Sequence, residues 1–133
     1  MITKNLLTLS IEKCNVISFY CKNVPISFDY HVTGRCLQCI PHVKDLGVTL
    51  DNGLTFRVHY DDVIAKANRQ LGFIFKIANE FRDPLCLKSL NCSLVRSILE
   101  TSVVVSSPYH ANWIARIEAV QRKFVRYALR FLQ

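Results

Sequence analysis

Glycine and proline are scarce in this chain. Its 133 residues include 4 Gly and 4 Pro, while half of all residues are hydrophobic. A disordered chain has the opposite balance, because it cannot bury enough apolar surface to offset the entropy lost on ordering. A chain of this length can bury about two-thirds of its unfolded surface. The composition therefore predicts a globular domain, or part of a larger one.

Long apolar runs are also missing. No run of about 18 apolar residues occurs, so a membrane span is not expected. The opening MITKNLLTLS mixes polar and apolar residues and lacks the apolar region of a secretory signal. Six cysteines without such a signal are expected to stay reduced. These features predict an intracellular protein, in the cytoplasm or the nucleus, that is not secreted and does not enter a membrane.

Acidic residues are too few to balance the basic ones. Lys and Arg number 17 against 10 Asp and Glu, which gives a net charge of +7. Residues 111–133 carry five basic side chains and one acid, Glu118. A basic segment on a folded domain is typical of a polyanion partner, most often nucleic acid. The alternative is a solvated helix face whose countercharges lie elsewhere.

The first 53 residues have the pattern of strands and turns. CNVISFY (14–20) and ISFDYHV (26–32) are rich in β-branched and aromatic residues, and the turn signals NVP and TGR follow them. KDLGVTL (44–50) predicts another strand, closed by a turn at DNG (51–53). Because residues 54–133 change to a helical period, the predicted class is α+β. We expect a small antiparallel sheet of three to four strands, followed by a three-helix bundle.

Three amphipathic helices are predicted after residue 53. Apolar residues recur every three or four positions in the first, at Val63, Ala67, Leu71, Ile74, Ala78 and Phe81. Asp83 and Pro84 predict the cap and first position of the second, which continues through Leu87, Leu90, Leu94 and Ile98. SSPYHAN (106–112) breaks the pattern. The apolar face of the third contains Ile114, Ile117, Val120, Phe124, Ala128 and Phe131.

The stretch VHYDDV (58–63) has the residues of a polymerase metal site, an aromatic followed by two aspartates. Such a site needs carboxylates from two separated strands and holds two cations about 3.5–4 Å apart. Here Asp61 and Asp62 are followed by VIAKANRQLGFIF, which has a helical pattern. Asp at a helix start is stabilised by the macrodipole and by free N–H groups. The sequence favours this helix-start interpretation over a metal site.

CLQCIPH (36–42) is the other candidate for metal binding. Cys36, Cys39 and His42 have the spacing C-x2-C-x2-H, and Cys14, Cys21 or His31 could supply a fourth zinc ligand. There is no second Cys-x2-Cys pair, and free Cys is a common small core residue. The sequence therefore favours no metal. It also contains no G-x-S-x-G elbow and no Gly-rich phosphate loop.

Basic residues concentrate on the polar faces of the first and third helices. They are the candidates for contact with a phosphate backbone, namely Lys66, Arg69, Lys76, Arg122, Lys123 and Arg126. Arg116 and Arg130 belong to the same polar face of the third helix. A solvated, functionless face is the alternative for such a cluster.

Several stretches share their order and spacing with one family, and together they cover nearly the whole chain. They are LTLSIEKCNVISF, KDLGVTLDNGLTF followed by His59, KANRQLGFIFKIANEFRDP, SLVRSILE and SSPYHANWIARIEAVQRKFVRYALR. In this order they resemble the C-terminal part of reverse transcriptases from non-LTR retrotransposons, above all the jockey-like elements. The resemblance implies a fragment of an RNA-directed DNA polymerase from a mobile element.

The resemblance places this chain after the polymerase centre. In such enzymes the strand with the catalytic aspartates precedes a segment like LTLSIEKC, so Asp61 and Asp62 lie downstream of the catalytic pair. The implied chain has no catalytic residues, no metal and no cofactor of its own, whereas the intact enzyme uses Mg²⁺. Lys13 resembles the lysine of an accessory motif that assists the departure of pyrophosphate.

The remaining parts resemble the elements that hold the nucleic acid. Residues 1–53 resemble the end of the palm with the primer grip, whose turn corresponds to Asp45, Leu46, Gly47 and Val48. Residues 54–133 resemble the thumb and its continuation. The implied partner is a template–primer, as an RNA–DNA or DNA duplex, bound by shape and phosphate contacts.

Two other functions stay open. Helices 84–105 and 113–131 could form an apolar groove for a protein partner, which would make the chain an interaction module without a nucleic-acid role. Alternatively, His59, Asp61 and Asp62 could bind a metal in a small enzyme.

Overall fold

The computed structural model describes residues 10–20, 28–81, 83–101, 103–106 and 110–131. The predicted α+β class is confirmed. The chain divides into two compact units, Met1–Thr55 and Phe56–Gln133. The first is called the strand unit below and the second the helical unit.

The strand unit consists of three separate strand pairs. After a single 3-10 turn at Ile11–Lys13, its strands are β1 (Asn15–Val16), β2 (His31–Val32), β3 (Arg35–Cys36), β4 (Gln38–Cys39), β5 (His42–Asp45) and β6 (Val48–Asp51). β1 pairs with β4 in parallel, whereas β2–β3 and β5–β6 are antiparallel hairpins. In the described residues there is thus no single antiparallel sheet of three or four strands, which corrects that part of the prediction.

The predicted strands are shorter than expected. CNVISFY contains only Asn15–Val16 as a strand, and the described part of ISFDYHV only His31–Val32; residues 26 and 27 lie outside the described residues. The apolar alternation of these segments is not matched by burial. Val48 and Thr49 are the buried side chains in the described part of this unit. Because these strands have no face covered by other side chains, burial of apolar area does not stabilise longer strand pairs.

Two tight turns close the hairpins. Thr33 and Gly34 join β2 to β3, and Leu46 and Gly47 join β5 to β6. Leu46 and Gly47 have φ angles of +46° and +88°, and both signs match the type I′ turn of two-residue hairpins. KDLGVTL is therefore not one strand, as its apolar pattern predicted, because a positive φ at two successive residues reverses the chain at its centre. The predicted turns at TGR and DNG are confirmed.

The first helix of the helical unit, α1 (Arg57–Phe81), buries one continuous side. Ala67, Leu71, Ile74 and Ala78 are buried as predicted, and Tyr60 and Ile64 extend the buried side toward the helix start. Val63, predicted in the same stripe, is only half-buried. The side chain of Phe81 lies outside what the structure describes.

The middle of the helical unit is a continuous helical stretch at residues 84–100, called the middle helix below. It consists of α2 (Pro84–Leu90), a π-helical segment (Asn91–Arg96) and α3 (Ser97–Glu100). The predicted cap is confirmed, since the Asp83 carboxylate accepts hydrogen bonds from the backbone N–H groups of Leu85 and Cys86 at 3.0 and 3.3 Å. A short helix, α4 (Val103–Ser106), follows.

The π-helical segment moves the buried side of the middle helix by one residue. The regular period predicted Leu87, Leu90, Leu94 and Ile98 on one face. Leu87 is buried, but the next buried residues are Val95, within the segment, and Leu99, after it, with Leu94 and Ile98 half-buried beside them. A π-turn closes i→i+5 bonds and accommodates one extra residue. Every later side chain is thereby rotated relative to a regular α-helix.

The last helix, α5 (Ala111–Phe131), completes the predicted three-helix bundle. Trp113 and Val120 are its buried residues, and Ile117, Phe124 and Ala128 pack at the border of the core. Ile114, predicted on the apolar face, is exposed, because Trp113 fills the core at that level. None of the helices in the described ranges is long and apolar enough to cross a membrane.

Candidate nucleic-acid interface

Side-chain contacts fix how α1 and α5 lie together. The Lys123 ammonium donates a hydrogen bond to the Asn68 side-chain oxygen at 3.0 Å. Further along both helices, the Tyr127 hydroxyl donates to the Phe75 carbonyl oxygen at 3.2 Å. The rings of Phe75 and Tyr127 stack with their centroids 4.1 Å apart. Because the contacts advance along both helices in the same sense, α1 and α5 run parallel.

Basic side chains flank this contact on its solvent side. Lys123, Arg126 and Arg130 follow the helical spacing i, i+3, i+7 and share one face of α5. Arg69 and Lys76, seven residues apart, share one face of α1. All five are exposed, and Ala67 and Leu71 bury the core side of α1. These five residues are called the basic face: Arg69, Lys76, Lys123, Arg126 and Arg130.

Two of the predicted nucleic-acid residues lie at the edges of the basic face. Lys66 is three positions before Arg69 and lies beside it on α1, on the side away from Asn68 and α5. Arg122 donates to the Glu118 carboxylate at 3.3 Å, an i,i+4 ion pair on α5. The other four, Arg69, Lys76, Lys123 and Arg126, are brought together. Arg130 is not among the predicted nucleic-acid residues but lies beside them, and its i+7 spacing from Lys123 is the signal in the sequence that indicates this position.

Acidic side chains lie at the two ends of the basic face on α1. Asp61 pairs with Arg116 at 2.8 Å and Glu118 with Arg122 at 3.3 Å, so these acids are bound to cations that are not among the five. Asp62 and Glu80 are exposed acids near the two ends of α1. Between them Gly72 is exposed, and a Cβ built there would meet nothing within 4 Å. A rod-like polyanion could therefore approach the backbone closely at this point.

The aspartates of VHYDDV do not lie at the helix start. α1 begins at Arg57, so Asp61 and Asp62 lie in its second turn, beyond the reach of an N-cap and of most of the dipole effect. The helix-start interpretation is therefore wrong in its detail. Asp61 instead pairs with Arg116, whose guanidinium also lies 4.5 Å from the centre of the Trp113 ring. Asp62 is exposed.

The primer-grip-like residues form the tip of the β5–β6 hairpin. Asp45 and Val48 pair across it, and Leu46 and Gly47 make the turn. The Leu46 side chain is 95% exposed while its backbone is left-handed, a conformation that costs an L-residue about 1–2 kcal/mol. An exposed apolar side chain on a strained turn is a feature found at functional sites. Lys13, the accessory-motif candidate, is exposed at the end of the 3-10 turn.

The structure distributes the candidate zinc ligands over three strand pairs. Cys36 lies opposite His31, Cys39 opposite Val16, and His42 opposite Asp51. Cys21 lies outside the described residues. Within the ranges that the structure describes, no three His, Cys, Asp or Glu side chains lie close enough together to hold a metal ion.

Comparison of the chain with protein-family models, with curated proteins and with solved structures found no match. The reverse-transcriptase resemblance therefore stays a prediction.

Proposed function

We propose that the chain is a thumb-and-primer-grip fragment of a mobile-element reverse transcriptase that binds a template–primer duplex without catalysing polymerisation. The observation that carries the proposal is the basic face. Its five cationic side chains lie on two parallel helices, along the line where α1 and α5 contact each other. Phosphate contacts of this kind give affinity and position without reading the sequence. That is the property a polymerase needs in the element that holds its product.

The strand unit supports the same proposal. Its tip presents Leu46 to solvent, where the resemblance places contact with the primer end. Phe28 and Tyr30 are 68% and 49% exposed, and their rings contact each other edge to face with centroids 4.9 Å apart. Exposed apolar area of this kind is typical of a surface that other protein covers. In the proposed parent enzyme, the remainder of the palm and the fingers would supply that cover.

The proposal makes a quantitative statement about salt. A protein that neutralises a number Z of phosphates on a B-form duplex shows a slope of about −0.9Z in a plot of log affinity against log salt concentration. Full engagement of the basic face therefore gives a slope of about −4 to −5. The measurement is fluorescence anisotropy of a labelled RNA–DNA primer–template, titrated from low to physiological salt. A folded chain that does not bind at low salt would contradict the proposal.

Matched charge variants locate the site. The double variant Lys76→Gln/Arg126→Gln removes two charges from the basic face, and we expect the slope to become shallower by about 2. Lys88→Gln/Arg96→Gln removes two exposed charges from the middle helix and should leave the slope almost unchanged. Equal effects from the two pairs would show that binding depends on net charge and not on this surface.

The absence of catalysis is tested separately. In the proposed arrangement the catalytic aspartates belong to a strand upstream of the segment LTLSIEKC, and Asp61 is held by Arg116. We expect no primer extension by the purified chain with Mg²⁺, template–primer and nucleotides. Measurable DNA synthesis that is lost in Asp61→Asn/Asp62→Asn would overturn the proposal and favour the small-enzyme alternative.

A second function is favoured by a groove on another side of the helical unit. The groove, about 420 Å³ in volume, lies between the middle helix and α5, and Val95, Leu99, Phe124 and Val125 contribute its apolar surface. An interaction module would use it to bind an amphipathic protein segment. In that case binding would change little with salt and would be reduced by Val125→Asp but not by Lys76→Gln.

A further inference from the structure

A partly enclosed cavity of about 200 Å³ lies within the helical unit, on a different side from the basic face. α1, α3, α4 and α5 surround it, and Val63, Leu99 and Ile117 supply much of its apolar wall. For comparison, an engineered apolar cavity of about 150 Å³ stays dry and binds benzene. A single aromatic ring with one small substituent therefore fits the space.

The wall of the cavity is held in place before any ligand arrives. Tyr60 is buried in the core, and its ring stacks on Trp113 with centroids 5.4 Å apart and an interplanar angle of 28°. Its hydroxyl donates a hydrogen bond to the carbonyl oxygen of Ser106, which ties α1 to α4. A ligand would thus not have to order this side chain on binding, which lowers the entropic cost.

Two of the polar groups around the cavity, the Tyr60 hydroxyl and the Glu100 carboxylate, can accept a hydrogen bond. The Tyr60 hydroxyl donates its hydrogen bond to the carbonyl oxygen of Ser106, so the Tyr60 oxygen presents lone pairs to the cavity. The Glu100 carboxylate accepts from the Arg96 Nε at 2.5 Å and keeps further lone pairs. This contact also raises the pKa of the Arg96 guanidinium, which remains charged. The amide of Gln121 can both donate and accept.

We propose that this cavity is a binding site for a small aromatic molecule that carries one hydroxyl or amino hydrogen-bond donor. The ring occupies the space between Val63, Leu99 and Ile117, and the donor points to the acceptors around Tyr60 and Glu100. The proposal depends on the cavity alone and is independent of nucleic-acid binding.

The test is an amide NMR titration of the whole chain with phenol, anisole and toluene up to ~10 mM. We expect saturable shifts at the amides of Tyr60, Val63 and Leu99, with a Kd for phenol on the order of 1 mM. Phenol should bind about threefold to tenfold more tightly than anisole, which has a similar shape but no donor. Absence of saturable shifts in a folded chain, or equal affinity for phenol and anisole, would overturn the proposal.

Two variants separate the cavity from other surfaces. Val63→Phe fills the space and should abolish the shifts, whereas Leu129→Phe places the same ring on the exposed side of α5 and should leave them unchanged. Shifts that survive Val63→Phe would place the ligand elsewhere. If Val63→Phe fails to fold, Tyr60→Phe serves instead, since it removes one of the two acceptors and should reduce the preference for phenol over anisole. An unchanged preference for phenol in Tyr60→Phe would contradict the proposed orientation.

Discussion

The two units of this chain are stabilised in different ways. The helical unit buries a continuous set of side chains from α1, the middle helix and α5, and several of them are fully inaccessible. The strand unit relies on backbone pairing in short ladders, and few of its described side chains are buried. Burial of apolar area is the larger source of stability, at about 25 cal/mol per Å². We therefore expect the helical unit to unfold as a cooperative body and the strand unit to open more readily.

The largest change in stability is expected from a substitution that leaves a cavity in the core of the helical unit. Ile74 is completely buried, so Ile74→Ala should lower the free energy of unfolding by about 2–5 kcal/mol. Phe73, its neighbour on α1, is 52% exposed, and Phe73→Ala should cost far less. Urea unfolding followed by circular dichroism at 222 nm measures both. Similar losses for the two variants would show that α1 is not packed as described.

A smaller effect is expected at the start of the middle helix. Asp83→Ala removes the carboxylate that accepts from Leu85 and Cys86, and should destabilise the helical unit by about 1 kcal/mol. Asp83→Asn retains a capping oxygen and is the matched control. If alanine and asparagine behave alike in urea unfolding, the cap does not contribute to stability.

In the strand unit a substitution should stabilise. Leu46→Asn places a residue that tolerates the left-handed region in front of Gly47, and should strengthen the β5–β6 hairpin by about 0.5–1 kcal/mol. Leu46→Ala keeps the strain and should give no gain. Amide hydrogen exchange of Val43 and Leu50, the next pair after the turn-closing pair whose amides point across the hairpin, reports the change. Slower exchange in both variants would indicate that the exposed leucine side chain, and not the backbone, is unfavourable.

The smallest effect concerns the ion pair between Asp61 and Arg116. Both side chains are about half exposed, so Asp61→Asn should cost no more than about 1 kcal/mol. Asp62→Asn changes the net charge equally but breaks no ion pair among the described residues, so the difference between the two variants isolates the pair. If the free energies of unfolding of the two variants in urea differ by more than about 1 kcal/mol, the contact of Arg116 with Trp113 also depends on Asp61.

The helical half of the fold could be predicted from sequence because burial there follows a single period. Ala67, Leu71, Ile74 and Ala78 are buried as their spacing indicates, and Asp83 caps the next helix. The burial of Val95 and Leu99 in place of Leu94 and Ile98 could not be predicted, because a π-helical segment has no reliable signature in residue types. Only the structure shows which of two adjacent apolar residues faces the core from this segment onward.

Prediction was weaker in the strand unit for a related reason. Alternation of apolar residues indicates a strand only when one face is covered, and here Phe19 and Phe28 are exposed. At the candidate interface, the residue types indicated a basic surface, but only the contacts of Asn68 and Phe75 with α5 show which cations share it.

The pairing of β1 with β4 has a consequence for the order in which the strand unit forms. Each hairpin closes a two-residue turn, an event of about 1–10 microseconds. Asn15, by contrast, pairs with Gln38 only when the long segment between them closes into a loop. The entropy lost in closing a loop grows with its length. The parallel pair should therefore assemble after both hairpins and separate before them. The N-terminal strand would then be the first part of the unit to become available to a protease.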